Sequence, residues 1–435
     1  MTAIQRSRSH TGQASRADDA PRRVLIGTDT YPPDVNGCGY FTHRLATGLA
    51  ARGNDVHVVC ASADGEPRIE YRDGVTLHRL RSAPVLVHPT MRTAVPLGVT
   101  GHVARLIDRL APHVVHAQSH FTISRATIRC GRRSGTPVVL TNHFMPDNLF
   151  AHAYVPERLH QVVGSLAWRD MVAVAHEADY VTTPTERAAQ LLAGKGFTRP
   201  IEAVSCGIDL RRFQPRPDER AAARAFFGLP DRTTMLFVGR LDVEKRIDEL
   251  VRALPRVLNR QDVQLALAGT GQRERELREL AEALGVADRV HFLGFVPDAD
   301  LPLTYVAADL FAIGSVAELQ SIATLEAMST GLPVVAADAL ALPHLVRPGR
   351  NGYLYPPGDV AALTERLLQV LESPERRAAL GAASREIAAQ HDHERSLDRF
   401  EQIYADVRPI RPGAQSRRRV VVGLPQTRRR TAMAA

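Results

Sequence analysis

The chain of 435 residues is 44% hydrophobic and 23% charged, with a formal net charge of +8. One hydrophobic core rarely extends over so many residues, so this length predicts two domains. The composition is typical of a globular protein and excludes the collagen-like and disordered classes. No apolar run approaches the ~20 residues that a membrane-spanning helix requires.

The first 22 residues are polar and lack the apolar run of a signal peptide. Four cysteines without a CxxC pair favour a reducing compartment over a disulfide framework. We therefore expect a cytoplasmic protein, with residues 1–22 forming a disordered N-terminal segment.

Short apolar segments alternate with helical patterns, and this alternation occurs twice. The first series has predicted strands at residues 24–26, 56–59, 114–116, 138–140 and 180–182, with helices at 42–52 and 103–110. The second has strands at 235–238, 265–268, 290–293, 310–313 and 334–336, with helices at 247–258, 273–284 and 360–371. β-branched strands separated by helices indicate parallel sheets covered on both faces. The sequence thus predicts an α/β protein of two doubly wound, Rossmann-like domains facing each other across a cleft.

A Pro-rich polar linker after Phe213 separates the two series. We assign residues 23–213 and 214–395 to the domains, 396–408 to a final helix that returns to the first domain, and 409–435 to a basic disordered tail. Eight arginines and no acid follow Asp406, so the remaining chain is formally neutral. The tail is either a solvated end or a segment that binds an anionic membrane surface. Nucleic acid is disfavoured, because no element combines a basic face with interleaved aromatic residues.

In such sheets ligands bind beyond the carboxyl ends of the strands. Gly37 and Gly39 follow the first strand, and glycines that open a helix let backbone N–H groups approach an anion. Gly269 and Gly271 follow a strand of the second domain. Neither loop is a GxGxxG fingerprint, and a tight turn without a ligand is the alternative for both.

Two cations, Arg240 and Lys245, follow Gly239 in one loop of the second domain. Arginine can fork two phosphate oxygens while lysine acts as a point charge, so the pair suits a diphosphate. A solvated surface loop is the alternative. The absence of a GxxxxGK[ST] segment disfavours a Walker-type nucleotide hydrolase.

Two glutamates, Glu318 and Glu326, flank a predicted helix start at Ser321. Glu326 would lie over the second turn, with Glu318 in the preceding loop. We predict that Ser321 caps the helix, and free N–H groups around Ser321 and Ile322 can bind anionic oxygen. Taken alone, such a pair is more often solvated.

His143 follows the predicted strand at 138–140, where a histidine can donate to a sugar hydroxyl or carry a proton. A structural histidine is the alternative. The segment His391-Asp392-His393-Glu394 suggests a metal site by composition alone, but it lies on a predicted helix near the tail, and we predict no metal site.

Together these segments resemble the retaining glycosyltransferases of family four, which have the GT-B fold. The likeness runs from about Arg23 to Tyr404, and it also includes the segments Cys206-Gly207-Ile208-Asp209 and Phe292-Leu293-Gly294-Phe295.

The resemblance implies that Arg240 and Lys245 bind the donor diphosphate, with Glu318 at the transferred sugar and His143 as a further catalytic residue. Glu326 would hold the ribose, and the donor site would be completed by Gly37, Gly39, Gly239, Gly271, Phe295, Ser321 and Ile322. The resemblance further implies a nucleotide-diphosphate sugar as co-substrate, retained anomeric configuration and no metal or other cofactor.

Three positions depart from the family pattern. Cys38 separates two glycines that are usually adjacent, Leu319-Gln320-Ser321 replaces Gly-Phe-Gly, and Arg246 replaces a frequent glycine. Gln320, with the segment at residues 142–147, looks most like the branch that glycosylates diacylglycerol. We therefore expect transfer of a hexose from a UDP-glucose- or GDP-mannose-type donor to a membrane lipid, at the inner face of the cell membrane.

Three alternatives remain at this point: transfer to a soluble small molecule or polysaccharide precursor, a sugar-nucleotide epimerase, and an inactive nucleotide-binding regulator. An epimerase would place its carboxylates and histidine differently, and a regulator would not need all these groups. The donor sugar, base, acceptor, linkage and oligomeric state are left open by the sequence.

Overall fold

The computed structural model describes residues 21–34, 36–85, 88–146 and 157–410. Most of the predicted N-terminal segment, and the basic tail from residue 411 onward, lie outside these ranges. The two roles considered for that tail therefore fall outside the described residues as well.

The first half of the chain contains one large sheet and a separate two-stranded ribbon. Its elements are β1 (Arg23–Gly27), α1 (Gly37–Ala51), β2 (Asp55–Ala61), β3 (Arg68–Arg72), β4 (Val75–Leu80), β5 (Ser82–Val85), β6 (His88–Ala94), α2 (Val99–Leu110), β7 (Val114–Ala117), α3 (Thr122–Ser134), β8 (Val138–Thr141), α4 (Glu157–Ala175), β9 (Tyr180–Thr183), α5 (Glu186–Gly194) and β10 (Glu202–Ala203). The large sheet has the order β10-β9-β8-β7-β1-β2-β4-β3, and β5 pairs with β6. Pairing in the large sheet is parallel except between β3 and β4.

The second half forms a six-stranded parallel sheet. Its elements are α6 (Arg220–Phe226), β11 (Thr233–Val238), α7 (Ile247–Leu258), β12 (Val263–Ala268), α8 (Glu274–Ala283), β13 (Val290–Gly294), α9 (Leu301–Val306), β14 (Leu310–Ile313), α10 (Ile322–Ser329), β15 (Val334–Ala337), α11 (Leu342–Leu345), β16 (Gly352–Tyr355), α12 (Val360–Leu371), α13 (Pro374–Ala388) and α14 (His393–Asp406). The strand order is β13-β12-β11-β14-β15-β16.

The strands predicted from apolar runs are all present, whereas β3, β4, β5, β6, β10 and β16 were not predicted. Strand β3 lies at the edge of the sheet and alternates charged residues with exposed Ile69 and Tyr71, so it has no apolar run to detect. Helix α1 begins at Gly37 rather than at residue 42, because the side chain of Asn36 accepts a hydrogen bond from the Gly39 N–H and caps the helix. Gly37 and Gly39 therefore lie in its first turn and not in a loop.

Helix α14 packs on the first half of the chain, although it ends the described sequence. Leu397, Phe400 and Ile403 are buried in the same core as Phe41 of α1, and burying each large apolar side chain contributes about 1.5–3 kcal/mol. The chain therefore passes between the two halves twice. At the crossing, the Ile208 N–H donates to the His391 carbonyl over 2.8 Å, and the His393 N–H donates back to Ile208 over 3.0 Å.

Candidate functional site

The first turns of α1 and α10 face each other across the two halves. A methyl group added at Gly37 would lie 3.8 Å from the Cδ1 atom of Ile322, the first residue of α10. The first N–H groups of a helix have no partner within the helix, and the helix dipole makes this end positive. Two such ends meeting in one place form a favourable environment for an anion.

Cys38 lies inside this first turn, between the two glycines. Its thiol contacts the Gln118 carbonyl at 3.7 Å, and burial raises the pKa of the thiol to about 11. The thiol is therefore neutral at physiological pH and adds no negative charge to the anion environment. Its side chain points towards the loop after β7, so the backbone of the turn stays on the side of Ile322.

Arg240 and Lys245 both lie near Glu318, which is in the loop that leads into α10, and both are paired with carboxylates. Arg240 lies 2.6 Å from Asp242 and 2.8 Å from Glu244, while Lys245 Nζ lies 2.6 Å from Glu318 Oε1. Burial alone would raise the pKa of Glu318, but the adjacent Lys245 outweighs it and the pKa lies below the usual value. Sequence reasoning predicted the two cations and did not foresee that Asp242 and Glu244 orient one of them.

The glycines after β11 and β12 have a packing role. A methyl group at Gly269 would lie 1.9 Å from the Gly239 carbonyl oxygen, and one at Gly271 would lie 2.5 Å from the backbone of Leu241. The Leu241 N–H donates to the Thr270 carbonyl over 2.9 Å, which joins the two loops. Close backbone approach thus accounts for Gly269 and Gly271.

Glu326 lies on the second turn of α10, 7% exposed, and accepts a hydrogen bond of 2.6 Å from the Tyr305 hydroxyl. Burial raises the pKa of its carboxyl group to about 7. Ser321 precedes the helix with a φ of 68°, but its hydroxyl contacts Thr324 at 2.8 Å and caps no backbone N–H. The predicted serine cap is therefore wrong, and the N–H groups of this first turn stay available to a ligand.

His143 is enclosed more than its sequence context indicated. Its Nε2 atom lies 3.1 Å from the Gln118 side-chain oxygen, its Nδ1 atom 4.0 Å from the Cys206 sulfur, and its ring packs on Phe41 with the centroids 4.6 Å apart. Burial lowers the pKa of His143 to about 3. The imidazole is thus neutral at physiological pH, and Gln118 selects the tautomer that carries the proton on Nε2.

Gln320, which departs from the family pattern, bridges the two halves. Its buried side-chain oxygen accepts from the Cys206 N–H over 2.7 Å, and its amide nitrogen donates to the Ser205 hydroxyl over 2.6 Å. Phe295, which the resemblance placed in the donor site, is 55% exposed in the loop after β13. This loop is held to the linker by an ion pair of 2.8 Å between Arg212 and Asp298.

The described residues contain neither a metal-binding cluster nor a membrane-spanning helix. No group of three or more histidine, cysteine, aspartate or glutamate side chains there could hold a metal ion. No helix in the described part of the chain has the length and apolar character needed to cross a membrane.

Comparison with known proteins identifies the family. The model of "Glycosyltransferase Family 4" matches residues 35–212, and that of "Glycosyl transferases group 1" matches residues 219–387. The chain is 31% identical to D-inositol 3-phosphate glycosyltransferase of Saccharomonospora viridis, over 89% of this chain and 94% of the relative. It therefore belongs to glycosyltransferase family four, and it is a hexosyltransferase.

Two further relatives are glycosyltransferases, and one of them is named for a lipid substrate. A GDP-mannose-dependent phosphatidylinositol monomannoside mannosyltransferase of Mycolicibacterium smegmatis is 35% identical over 49% of this chain and 58% of the relative. Sulfoquinovosyl transferase of Arabidopsis thaliana is 25% identical over 86% of this chain and 71% of the relative. Among solved structures, Anabaena HepE in complex with UDP-glucose superposes with a TM-score of 0.70 at 20% identity, covering 89% of this chain and 100% of that one. The fold is accordingly GT-B, with two Rossmann-like domains.

Proposed function

We propose that this glycosyltransferase moves a hexose, with retention of configuration and without a metal, from a nucleotide-diphosphate sugar to a hydroxyl group of a membrane lipid such as diacylglycerol. The assignment of the donor site rests on one observation: the first turns of α1 and α10 meet beside Arg240 and Lys245. Hydrogen-bond donors aimed at developing negative charge are usually the largest contribution to catalysis.

In this proposal the donor diphosphate lies between the two helix ends. Arg240 and Lys245 both carry a positive charge, and the pairing with Glu318 uses only one of the three N–H donors of the Lys245 ammonium group. They neutralise the leaving nucleotide as the bond between the anomeric carbon and the phosphate oxygen breaks. The acceptor oxygen bonds to the same face of the carbon, and its proton passes to the departing phosphate.

Glu318 and Glu326 have different charges in this scheme. Glu318 is ionised beside Lys245, so it can accept hydrogen bonds from hydroxyls of the transferred sugar. Glu326, on α10, accepts from the ribose hydroxyls once it has lost its proton near pH 7. His143, neutral and held by Gln118, lines the acceptor side.

The lipid acceptor is supported by the relative named for phosphatidylinositol monomannoside and by exposed apolar residues of the N-terminal domain. Val162 and Leu166 lie four residues apart on α4 and are each 58% exposed. In the segment from Val85 to Arg105, Leu97 is 92% exposed but Val99 and Val103 are buried. The side chains of residues 86–91 lie outside the described set. Apolar side chains exposed near each other are typical of surfaces that bind a membrane or a partner.

A soluble acceptor is the second candidate, because the relative matched over nearly its whole length is named for D-inositol 3-phosphate. Family membership and the paired cations leave the epimerase and the inactive regulator without support.

A thermal-shift panel of UDP-, GDP- and ADP-sugars identifies the donor, since a ligand that binds only the folded state raises stability. With that donor labelled, transfer is measured to diacylglycerol in vesicles and to inositol 3-phosphate in solution, each with and without EDTA. We expect label in the lipid and full activity in EDTA. Transfer only to the soluble acceptor overturns the lipid assignment, and loss of activity in EDTA restored by Mg²⁺ or Mn²⁺ overturns the metal-free mechanism.

A further inference from the structure

A cavity of about 260 Å³ lies where the interdomain linker meets α9, the end of α10 and α13. Its lining includes three arginines, Arg216, Arg220 and Arg385, and no acidic residue. Pockets for drug-sized ligands begin at about 300 Å³, so this one suits a small anion rather than a whole nucleotide.

The three guanidinium groups are only partly satisfied by the protein. Arg220 pairs with Asp309 at 3.0 Å, while its Nε atom is buried without a hydrogen-bond partner among the described residues. Arg216 makes a long contact of 3.4 Å with Glu219. Arg385 is exposed and has no ion pair in the described part of the chain. Guanidinium groups that line one cavity and have spare N–H donors favour the binding of phosphate, because its oxygens match their fork geometry.

The walls of the cavity connect it to the donor site and to the linker. Tyr305 lines it and donates to the Glu326 carboxylate, and Thr330 lines it and donates to the Glu326 carbonyl over 2.9 Å. Tyr305 also packs on Phe213 of the linker, with ring centroids 5.7 Å apart. An anion here would touch the segment that joins the domains and the residues that hold the proposed ribose ligand.

We propose that this cavity is a second anion site, for inorganic phosphate or a phosphomonoester, distinct from the donor diphosphate site. The anion bridges Arg216 of the linker and Arg220 of α6 to Arg385 of α13. Since the linker joins the two domains, occupancy changes the KM for the donor. That effect on KM rests on the proposed function, whereas the binding itself does not.

The test is calorimetric titration of the full chain with inorganic phosphate and with glycerol 3-phosphate at constant ionic strength. We expect the Kd of the tighter probe to rise at least about tenfold in Arg385→Gln, a loss of ~1.4 kcal/mol. Arg385 is exposed, so this variant keeps its fold, which an unchanged Tm verifies. Arg395→Gln, an exposed change on α14 away from the cavity, and Arg240→Gln, in the donor site, should both leave phosphate binding intact.

The two probes separate the sources of the anion: tighter binding of glycerol 3-phosphate identifies a phosphomonoester, and tighter binding of inorganic phosphate identifies the free ion. Unchanged binding in Arg385→Gln overturns the proposal. Loss of binding in Arg240→Gln also overturns it, because the anion would then occupy the donor site. Absence of binding by the unmodified chain at millimolar phosphate has the same consequence. All these readouts are independent of transferase activity.

Discussion

Glu326 combines a proposed binding role with a cost in stability. Its pKa, raised by burial from 4.5 to about 7, means that the folded chain holds this proton more tightly than the unfolded chain does. The resulting stabilisation is complete below pH 4.5 and is lost as the pH rises through about 7. An ionised Glu326 therefore weakens the fold under the conditions in which it can bind ribose.

Replacing Glu326 with glutamine should separate the two effects. The amide keeps the hydrogen bond from Tyr305 but never ionises. We expect the free energy of unfolding at pH 8 to rise by about 1–3 kcal/mol relative to the unmodified chain, with little difference at pH 5. The KM for the donor at pH 8 should rise. Denaturant titrations at pH 8 and pH 5 measure the free energies of unfolding. An equal difference between the variant and the unmodified chain at the two pH values would contradict the prediction.

Lys245 is expected to act mainly in the transition state, when the diphosphate leaves. Lys245→Ala should lower kcat/KM at least about thirtyfold, which corresponds to a loss of ~2 kcal/mol of transition-state stabilisation. Arg275→Ala is the matched control, since it removes a 90% exposed cation of the same domain and should leave the kinetics unchanged. Near-normal turnover in Lys245→Ala would remove this residue from the site.

His143 is expected to act without changing its charge. Burial lowers its pKa to about 3, so His143 does not titrate between about pH 5.5 and 8. The pH profile of kcat/KM in this range should therefore have the same shape in His143→Gln as in the unmodified chain. His143→Ala should lower turnover and leave binding of the bare nucleoside diphosphate nearly unchanged. Calorimetry showing loss of nucleotide binding would identify His143 as part of the fold or of the nucleotide site instead.

At the scale of elements, the loops after β11 and β12 depend on each other. Gly269, with a φ of 135°, allows the Gly239 backbone to pass where a side chain would stand. Arg246 has a φ of 49°, which explains why glycine is frequent there, and it offsets the strain by pairing with the buried carboxylate of Glu249. The loop carrying Lys245 is thus held at both ends.

Gly269→Ala should destabilise the protein by more than ~3 kcal/mol, because the added methyl group meets the Gly239 backbone. Gly285→Ala is the control: its φ is also positive, at 68°, but nothing lies within 4 Å of the added group, so a cost of about 1 kcal/mol is expected. Comparable Tm values for the two variants would contradict the packing explanation.

For the whole molecule, we predict peripheral docking to anionic membranes. In liposome co-sedimentation, the full chain should bind, a chain ending at Asp406 should bind more weakly, and binding should fall as salt screens charges beyond ~8–10 Å. The double variant Val162→Ser/Leu166→Ser on α4 should also bind less than its control, Ile69→Ser/Tyr71→Ser, which removes exposed apolar residues from the edge strand β3. Equal, negligible binding by the full and shortened chains would exclude the tail, and equal binding by the two double variants would exclude α4.

The amino-acid sequence alone was enough to predict the α/β class, the two series of strands and the family. Buried parallel strands are continuous apolar runs, and the residues that follow them are the ones that meet a ligand. It also predicted that Glu318 would precede α10 and that Glu326 would lie on its second turn, because helical spacing is local. Edge strand β3 had no such signal.

The partners of those residues, by contrast, follow from contacts between segments that are distant in the sequence. Three contacts join residues that are 63 or more positions apart: Lys245 with Glu318, His143 with Cys206, and Gln320 with Cys206. The contact of His143 with Gln118 spans 25 positions. The pKa values of Glu326 and His143 likewise depend on burial, which follows from packing between elements. Contacts of this kind leave no periodic pattern in the sequence, because their geometry exists only once the two domains have folded.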